Sequence, residues 1–285
     1  MTIYKSTIKL LRIPFSINLL PLYLFAIYSA MDKTILWKSI CVFIVIHFIF
    51  YPASNAYNSF MDRDHGSIAG LQNPPKPTKQ LFHASIILDI LGLVISTLIS
   101  WPFFLINLLL VGLSRAYSWR AIRIKKYAIP AFVMVAFAQG GISFYNMYIG
   151  VQGLHYFPKF EGELLLRIII CTLFVGTIYP ITQIYQHEDD KKDGVHSMSM
   201  LLGIKGTFLF SGLLFIGANV LLYVTLTLQH FIIFEIFMIL PALYFVHWAY
   251  LSWKNEDHAN YSKTMTMALG ASIAIILGFS FILLL

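Results

Sequence analysis

Two stretches of the chain carry polar residues at spacings that could bind a metal ion and a phosphorylated ligand. The first runs Tyr51-Pro52, Asn55, Tyr57, Asn58, Asp62 and Gly66; the second runs Tyr179-Pro180, Gln183, Tyr185, Gln186, Asp190 and Gly194. They are offset by 128 positions (179 − 51 and 190 − 62), and basic Arg63 and Lys191 match as well. Five identities and two Asn/Gln exchanges at one fixed offset indicate an internal repeat, which in membrane proteins often brackets the functional site. Asn55, Asn58 and Asp62 stand at i, i+3 and i+7, and so do Gln183, Gln186 and Asp190, so each trio is expected on one helical face. Two amides and an acid from each of two helices, with Asp64, Glu188, Asp189 and Asp193 beside them, are hard oxygen donors. They suit Mg²⁺, which takes few protein ligands and keeps water and substrate phosphates.

Those faces need spanning helices to hold them. The chain has 285 residues, 58% hydrophobic and 12% charged, with mean hydropathy +0.74. A soluble domain carries about twice that charge, so the composition indicates a polytopic membrane protein. At about 20 apolar residues per span, nine helices are expected, near 13–30, 36–58, 81–99, 101–118, 127–149, 164–187, 207–228, 230–251 and 264–285. The fold class is therefore all-α, a single transmembrane domain over 1–285 with motif one at 51–66 and motif two at 179–194. A tight turn joins the third and fourth spans at Ser100-Trp101-Pro102. No small-residue cleavage site follows the first apolar run, which reads as a spanning helix and not as a signal peptide. Cys41 and Cys171 lie within spans and imply no disulfide framework.

The net charge of +7 sits in short loops, which encodes topology and does not indicate nucleic acid. Sixteen Lys and Arg fall on the amino-terminal side, against Lys33, Lys38, Lys159 and Arg167 on the other. The amino terminus and both motif ends are thus expected at the cytoplasmic face, of a cell inner membrane. Three prolines in Asn73–Lys79 predict a stiff extended loop presenting Lys76 and Lys79. Residues 115–126 form a basic stretch in which Arg123 and Lys125 could serve phosphate or topology alone. Tyr51, Tyr57, Tyr179 and Tyr185 offer π-faces to a developing cation. Asp89, mid-span, is either functional or a packing hydrogen bond. Gln139-Gly140-Gly141 either faces a cavity or permits close packing, and for His47, Asn107, Asn219 and Glu235 packing is favoured.

With these residues in view the sequence resembles the UbiA superfamily of intramembrane prenyltransferases over essentially the whole chain. The first family motif matches Asn58 and Asp62, with Gly66 where a further acid is usual and Asp64 as its substitute. The second, Asp-x-x-x-Asp before a Gly, falls on Gln186 to Asp190 with Gly194, so Gln186 replaces the leading acid. The Tyr-Ser and Arg/Lys pattern between the fourth and fifth helices resembles Tyr117-Ser118, Arg123 and Lys125.

The resemblance implies nine helices around a central cavity, a Mg²⁺ cofactor, an isoprenyl diphosphate and an aromatic or other hydrophobic acceptor, with membrane lipid around it. No obligate protein partner is inferred. Asp62, Asp190, Lys76, Arg123 and Lys125 would be catalytic. Asn58, Asp62, Asp64, Gln186, Asp189 and Asp190 would hold metal, and Asn55, Lys79, Tyr117, Tyr185 and Gln183 substrate. A terpene cyclase and, more remotely, a transporter are the alternatives.

Overall fold

Apolar runs punctuated by Pro and by basic loops give long helices, and no strand is present among the described residues. The computed structural model describes residues 4–63 and 66–285. Eight of its helices are long and apolar enough to cross a membrane, which makes the chain an integral, multi-pass protein. The expected fourth span forms as the 18-residue helix Trp101–Ser118, not among those eight, whose Asn107, Ser114 and Arg115 make it more polar. The described residues fall into two compact units, one reaching Ile124 and including Tyr145–Pro158, the other Lys125–Phe144 and Lys159–Leu285.

The first unit contains α1 (Lys5–Ser29), α2 (Leu36–Asp62) and α3 (Lys79–Ile99), then α4 (Trp101–Ser118). It also holds the end of α5 (Ala128–Gln152), from Tyr145 onward. Helix α1 is interrupted at Arg12, which adopts a left-handed conformation (φ 48°) ahead of Pro14. In α2 the backbone widens into a π-helical segment, Val45–Phe50, directly before Tyr51-Pro52. Pro52 cannot donate to the carbonyl four residues back, and the wider turn absorbs that loss so the helix continues. The expected 36–58 span therefore extends to Asp62. Ser100 caps α4 by accepting the Phe103 N–H (3.4 Å), with Pro102 in the first turn. Deeper in the unit, Asn146 Nδ2 donates to Asn107 Oδ1 (2.8 Å) and Asn107 Nδ2 to Ser96 Oγ (3.1 Å). This buried chain links α3, α4 and α5, and it gives Asn107 the packing role expected of it.

The second unit contains α5 up to Phe144, α6 (Gly162–Ile181) and a short helix, α7 (His187–Lys192). It continues with α8 (Met198–Thr225), α9 (Leu228–Lys254) and α10 (Tyr261–Leu283). Gly140 lies in a π-helical segment of α5, and a Cβ there would come within 2.5 Å of the Cys171 carbonyl oxygen. Only glycine permits that approach of α5 and α6, so Gly140 serves close packing. Trp248 is buried edge-on against Phe208 (4.8 Å between ring centres) and donates to the His258 carbonyl (2.7 Å), which ties the α9–α10 loop to the helices. The expected 164–187 span is shorter than predicted. With Pro180 at its penultimate position, α6 ends at Ile181, and residues 182–185 form a turn.

Candidate active site

The first motif is a regular helix end. Asn55, Asn58 and Asp62 all lie within the α-helical stretch Tyr51–Asp62, on one face as expected. Asn58 Nδ2 donates to Asp62 Oδ2 (2.8 Å) and to Ser118 Oγ (2.9 Å). This leaves the Asn58 Oδ1 and the Asp62 carboxylate as neighbouring oxygen donors. Asp62 is buried, 8% exposed, at the last residue of α2, where the carbonyl dipoles make a negative charge costly. Arg120 offsets that cost by donating through Nε to the Met61 carbonyl (2.9 Å) and through Nη2 to that of Asp62 (3.2 Å). Arg63 closes the helix in a left-handed conformation, its N–H on the Ser59 carbonyl (3.1 Å). A surface recess of about 470 Å³ beside this end is lined by Phe60, Met61, Arg63 and Arg120.

Asn55 is buried, with its Nδ2 lacking a hydrogen-bond partner, and its carbonyl accepts from Arg12 Nη2 (3.3 Å). Arg12 also donates to the Ala69 carbonyl (2.9 Å), which anchors the loop after the motif. Lys76 and Lys79 are exposed, Lys76 in an irregular extended stretch and Lys79 at the start of α3. Ser118 is buried beside Asn58, and Tyr117 is half-buried next to it. Arg123 is buried in a left-handed conformation (φ 49°). Asp64 lies outside the described residues.

The second motif is built differently. Because α6 ends at Ile181, Gln183 sits in a turn and not on the helical face predicted for it. Its Oε1 accepts the Ser199 N–H (3.3 Å), so the side chain is committed to holding the start of α8. Gln186 and Asp190 do keep their relation, since the Asp190 N–H bonds the Gln186 carbonyl (2.9 Å) across the first turn of α7. Glu188, Asp189 and Asp190 occupy that turn, the favourable helix end for acids. Asp189 is also within 3.8 Å of Lys192. His187 Nε2 meets Ser199 Oγ at 2.8 Å. Burial lowers the His187 pKa, and the nearby Glu256 opposes that shift. Tyr185 packs edge-on against Tyr261, 5.2 Å between ring centres. Lys125 is half-buried in this same unit.

The pattern of the UbiA prenyltransferase family matches residues 19–276. The chain belongs to that family. A search of curated proteins returns no match. Among solved structures, a UbiA homologue from Archaeoglobus fulgidus bound to DMAPP and Mg²⁺ is 18% identical with a TM-score of 0.71, covering 99% of this chain and 100% of that one. A UbiA homologue from Aeropyrum pernix K1, without ligand, is 17% identical with a TM-score of 0.69, covering 94% and 98%. A structure described as digeranylgeranylglyceryl phosphate synthase is 23% identical with a TM-score of 0.59, covering 96% and 98%. These likenesses show the UbiA fold, and family membership makes the chain an intramembrane prenyltransferase.

The donor set of this UbiA chain fits a magnesium ion. Among the described residues no three of His, Cys, Asp and Glu cluster as an all-protein metal cage would require. Asp62 and the Asn58 amide oxygen instead offer one carboxylate and one neutral oxygen, which leaves coordination positions for substrate phosphates and water. Sequence reasoning missed several residues that build the site. In the sequence Arg12, Arg115 and Arg120 read only as basic residues near loops, yet each touches motif one. Ser114 and Ser199 carried no signal, because a serine in a helix usually has only a local role.

Proposed function

We propose that this chain is a Mg²⁺-dependent enzyme that ionises an isoprenyl diphosphate and transfers the prenyl group to an aromatic or other hydrophobic acceptor. The observation that carries this reading is the buried Asp62, bonded to Asn58 at the end of a spanning helix. A carboxylate–amide pair at the end of a spanning helix offers two hard oxygens of the kind Mg²⁺ takes, alongside those of a phosphorylated substrate. The UbiA neighbour bound to DMAPP and Mg²⁺ supports the same ligand class.

In this reading Asn58, Asp62 and Asp190 would hold Mg²⁺, with Asp64 and Gln186 contributing and Asp189 as the alternative ligand to Gln186. Bound there, the ion supplies positive charge to the oxygens of the departing diphosphate. Lys76, Lys79, Arg123 and Lys125 offset the same charge as the allylic C–O bond breaks and the electron pair leaves with diphosphate. Asn55, Tyr117 and Tyr185 contact substrate. Gln183 serves by fixing the turn before α7. The apolar span walls exclude water, which would otherwise quench the allyl cation before the acceptor attacks and loses its proton.

The basic asymmetry of the loops supports a reaction at the cytoplasmic face, in a cell inner membrane. Cysteines placed at Lys79 and Lys159, in a Cys-free background, should be labelled from opposite sides; labelling of both from one side contradicts the topology. The function itself is tested by incubating purified protein with Mg²⁺, C10 to C20 and longer allylic diphosphates, and a panel of acceptors. Mass spectrometry should find acceptor plus prenyl group. A cyclised hydrocarbon with no acceptor consumed would replace the transferase reading with a cyclase, and intact diphosphate throughout would reject both.

A further inference from the structure

The buried ion pair between Asp89 and Arg115 has no role in the chemistry above. Asp89 lies in the middle of α3 and Arg115 near the end of α4, and the Arg115 Nη2 contacts the Asp89 Oδ2. In antiparallel helices joined at Ser100 their side chains lean toward each other, because each Cα–Cβ bond tilts toward its own helix N-terminus. Both side chains are largely buried, 9% exposed for Asp89 and 17% for Arg115. A pair this deep has a desolvation cost that an apolar pair of similar volume would avoid. Helix packing alone is therefore a weak reason for it.

The guanidinium has a second contact. Its central carbon lies 3.9 Å from the ring centre of Tyr57, a residue of the duplicated motif, and its Nη1 is buried with no hydrogen-bond partner. A guanidinium over an aromatic face accounts for a nitrogen in that position. Two neighbours of Arg115 on α4 also grip α2. Ser114 Oγ meets Ser54 Oγ at 2.8 Å, and Ser118 Oγ accepts from Asn58 Nδ2 at 2.9 Å. Three contacts along one face of α4 thus fix Ser54, Tyr57 and Asn58, and with them the rotation of α2 that aims Asn58 and Asp62.

We infer that Arg115, held by Asp89, is a positioning residue that sets the orientation of the Asn58–Asp62 pair through the ring face of Tyr57. This rests on the prenyltransferase reading and assigns it a support outside the charged loops.

The test compares Asp89→Leu/Arg115→Met, Tyr57→Leu, Tyr57→Phe and the triple Asp89→Leu/Arg115→Met/Tyr57→Leu. Two readouts are taken: the Tm of detergent-solubilised protein without Mg²⁺, and the Mg²⁺ concentration giving half-maximal diphosphate release. The apolar pair should keep a wild-type Tm, yet need about threefold to tenfold more Mg²⁺, since ligand placement governs affinity at a hard-cation site. Tyr57→Leu should shift the Mg²⁺ requirement by the same factor, and Tyr57→Phe should recover most of it. The triple should be no worse than either, because both changes remove one interaction.

An apolar pair with wild-type Tm and wild-type Mg²⁺ dependence overturns the inference and leaves packing as the role of the charges. If the apolar pair does not fold, Arg115→Lys replaces it. Lysine keeps an ion for Asp89 but lacks the planar group, and a wild-type Mg²⁺ requirement in that variant overturns the inference equally. Asp62→Asn serves as the control. Full activity there defeats the prenyltransferase reading itself, whereas an inactive Asp62→Asn beside an unaffected Tyr57→Leu defeats only the positioning role.

Discussion

The two motifs share their residue types and spacing, yet the chain folds them into different objects. In the first, the π-helical segment before Pro52 lets α2 run on to Asp62, whose carboxylate is buried and bonded to Asn58. In the second, Pro180 ends α6 one residue later, Gln183 turns to hold the Ser199 N–H, and the acids stand in the first turn of a short helix. The helix dipole opposes the charge of Asp62 and favours those of Asp189 and Asp190. One motif is thus a buried, hydrogen-bonded donor pair at a helix end and the other an acidic helix start. The same spacing is built into a helix end in one half and a helix start in the other, and the difference lies in whether a π-helical segment precedes the proline and absorbs it.

The contrast predicts unequal responses to mutation, the largest at the carboxylates. Asp62→Asn should reduce turnover by at least about a thousandfold, since losing a charged ligand to a catalytic metal costs several kcal/mol. Asp190→Asn should also abolish turnover at ordinary Mg²⁺ but recover in part at high Mg²⁺, as neighbouring acids remain. Equal behaviour of the two would erase the distinction between the buried helix end and the acidic helix start. Arg120→Ala removes two charged hydrogen bonds from the end of α2 and should cost about 1–3 kcal/mol of stability, read as a fall in Tm.

Smaller effects are expected around Gln186. Gln186→Glu adds a formal charge and should lower the Mg²⁺ needed for half-maximal activity, Gln186→Leu should raise it, and Asp189→Asn should leave it unchanged. A shift in Asp189→Asn with none at Gln186 would assign the ligand role to Asp189. The smallest effect belongs to Gln183→Leu. It should lower stability by about 1 kcal/mol, or about 2–4 °C in Tm, with no change in the Mg²⁺ requirement. A changed Mg²⁺ requirement would return Gln183 to the ligand shell.

Much of this architecture could be read from the sequence, because apolar runs and basic loops encode spans directly. The Ser100-Trp101-Pro102 turn and the repeat itself were visible for the same reason: cap residues and fixed spacing are local signals. The end of α6 was not visible. Tyr-Pro occurs in both motifs, and only the surrounding packing decides whether a π-helical segment forms to absorb the proline. The contact between Arg115 and Tyr57 was hidden too, since Arg115 reads as one more loop-side charge until α3 and α4 pack and bring Asp89 to it. Asn58 and Asp62 were legible because an i, i+4 pair in one helix needs no tertiary context.

The central claim, that this UbiA chain uses Mg²⁺ to ionise an isoprenyl diphosphate, is tested most directly by diphosphate release from purified protein. The protein is stripped with chelator, supplied with an allylic diphosphate and acceptor, and titrated with Mg²⁺. The account predicts no release without Mg²⁺ and a saturable rise on adding it, lost in Asp62→Asn. Release that is the same with and without Mg²⁺, or that survives intact in Asp62→Asn, would contradict it.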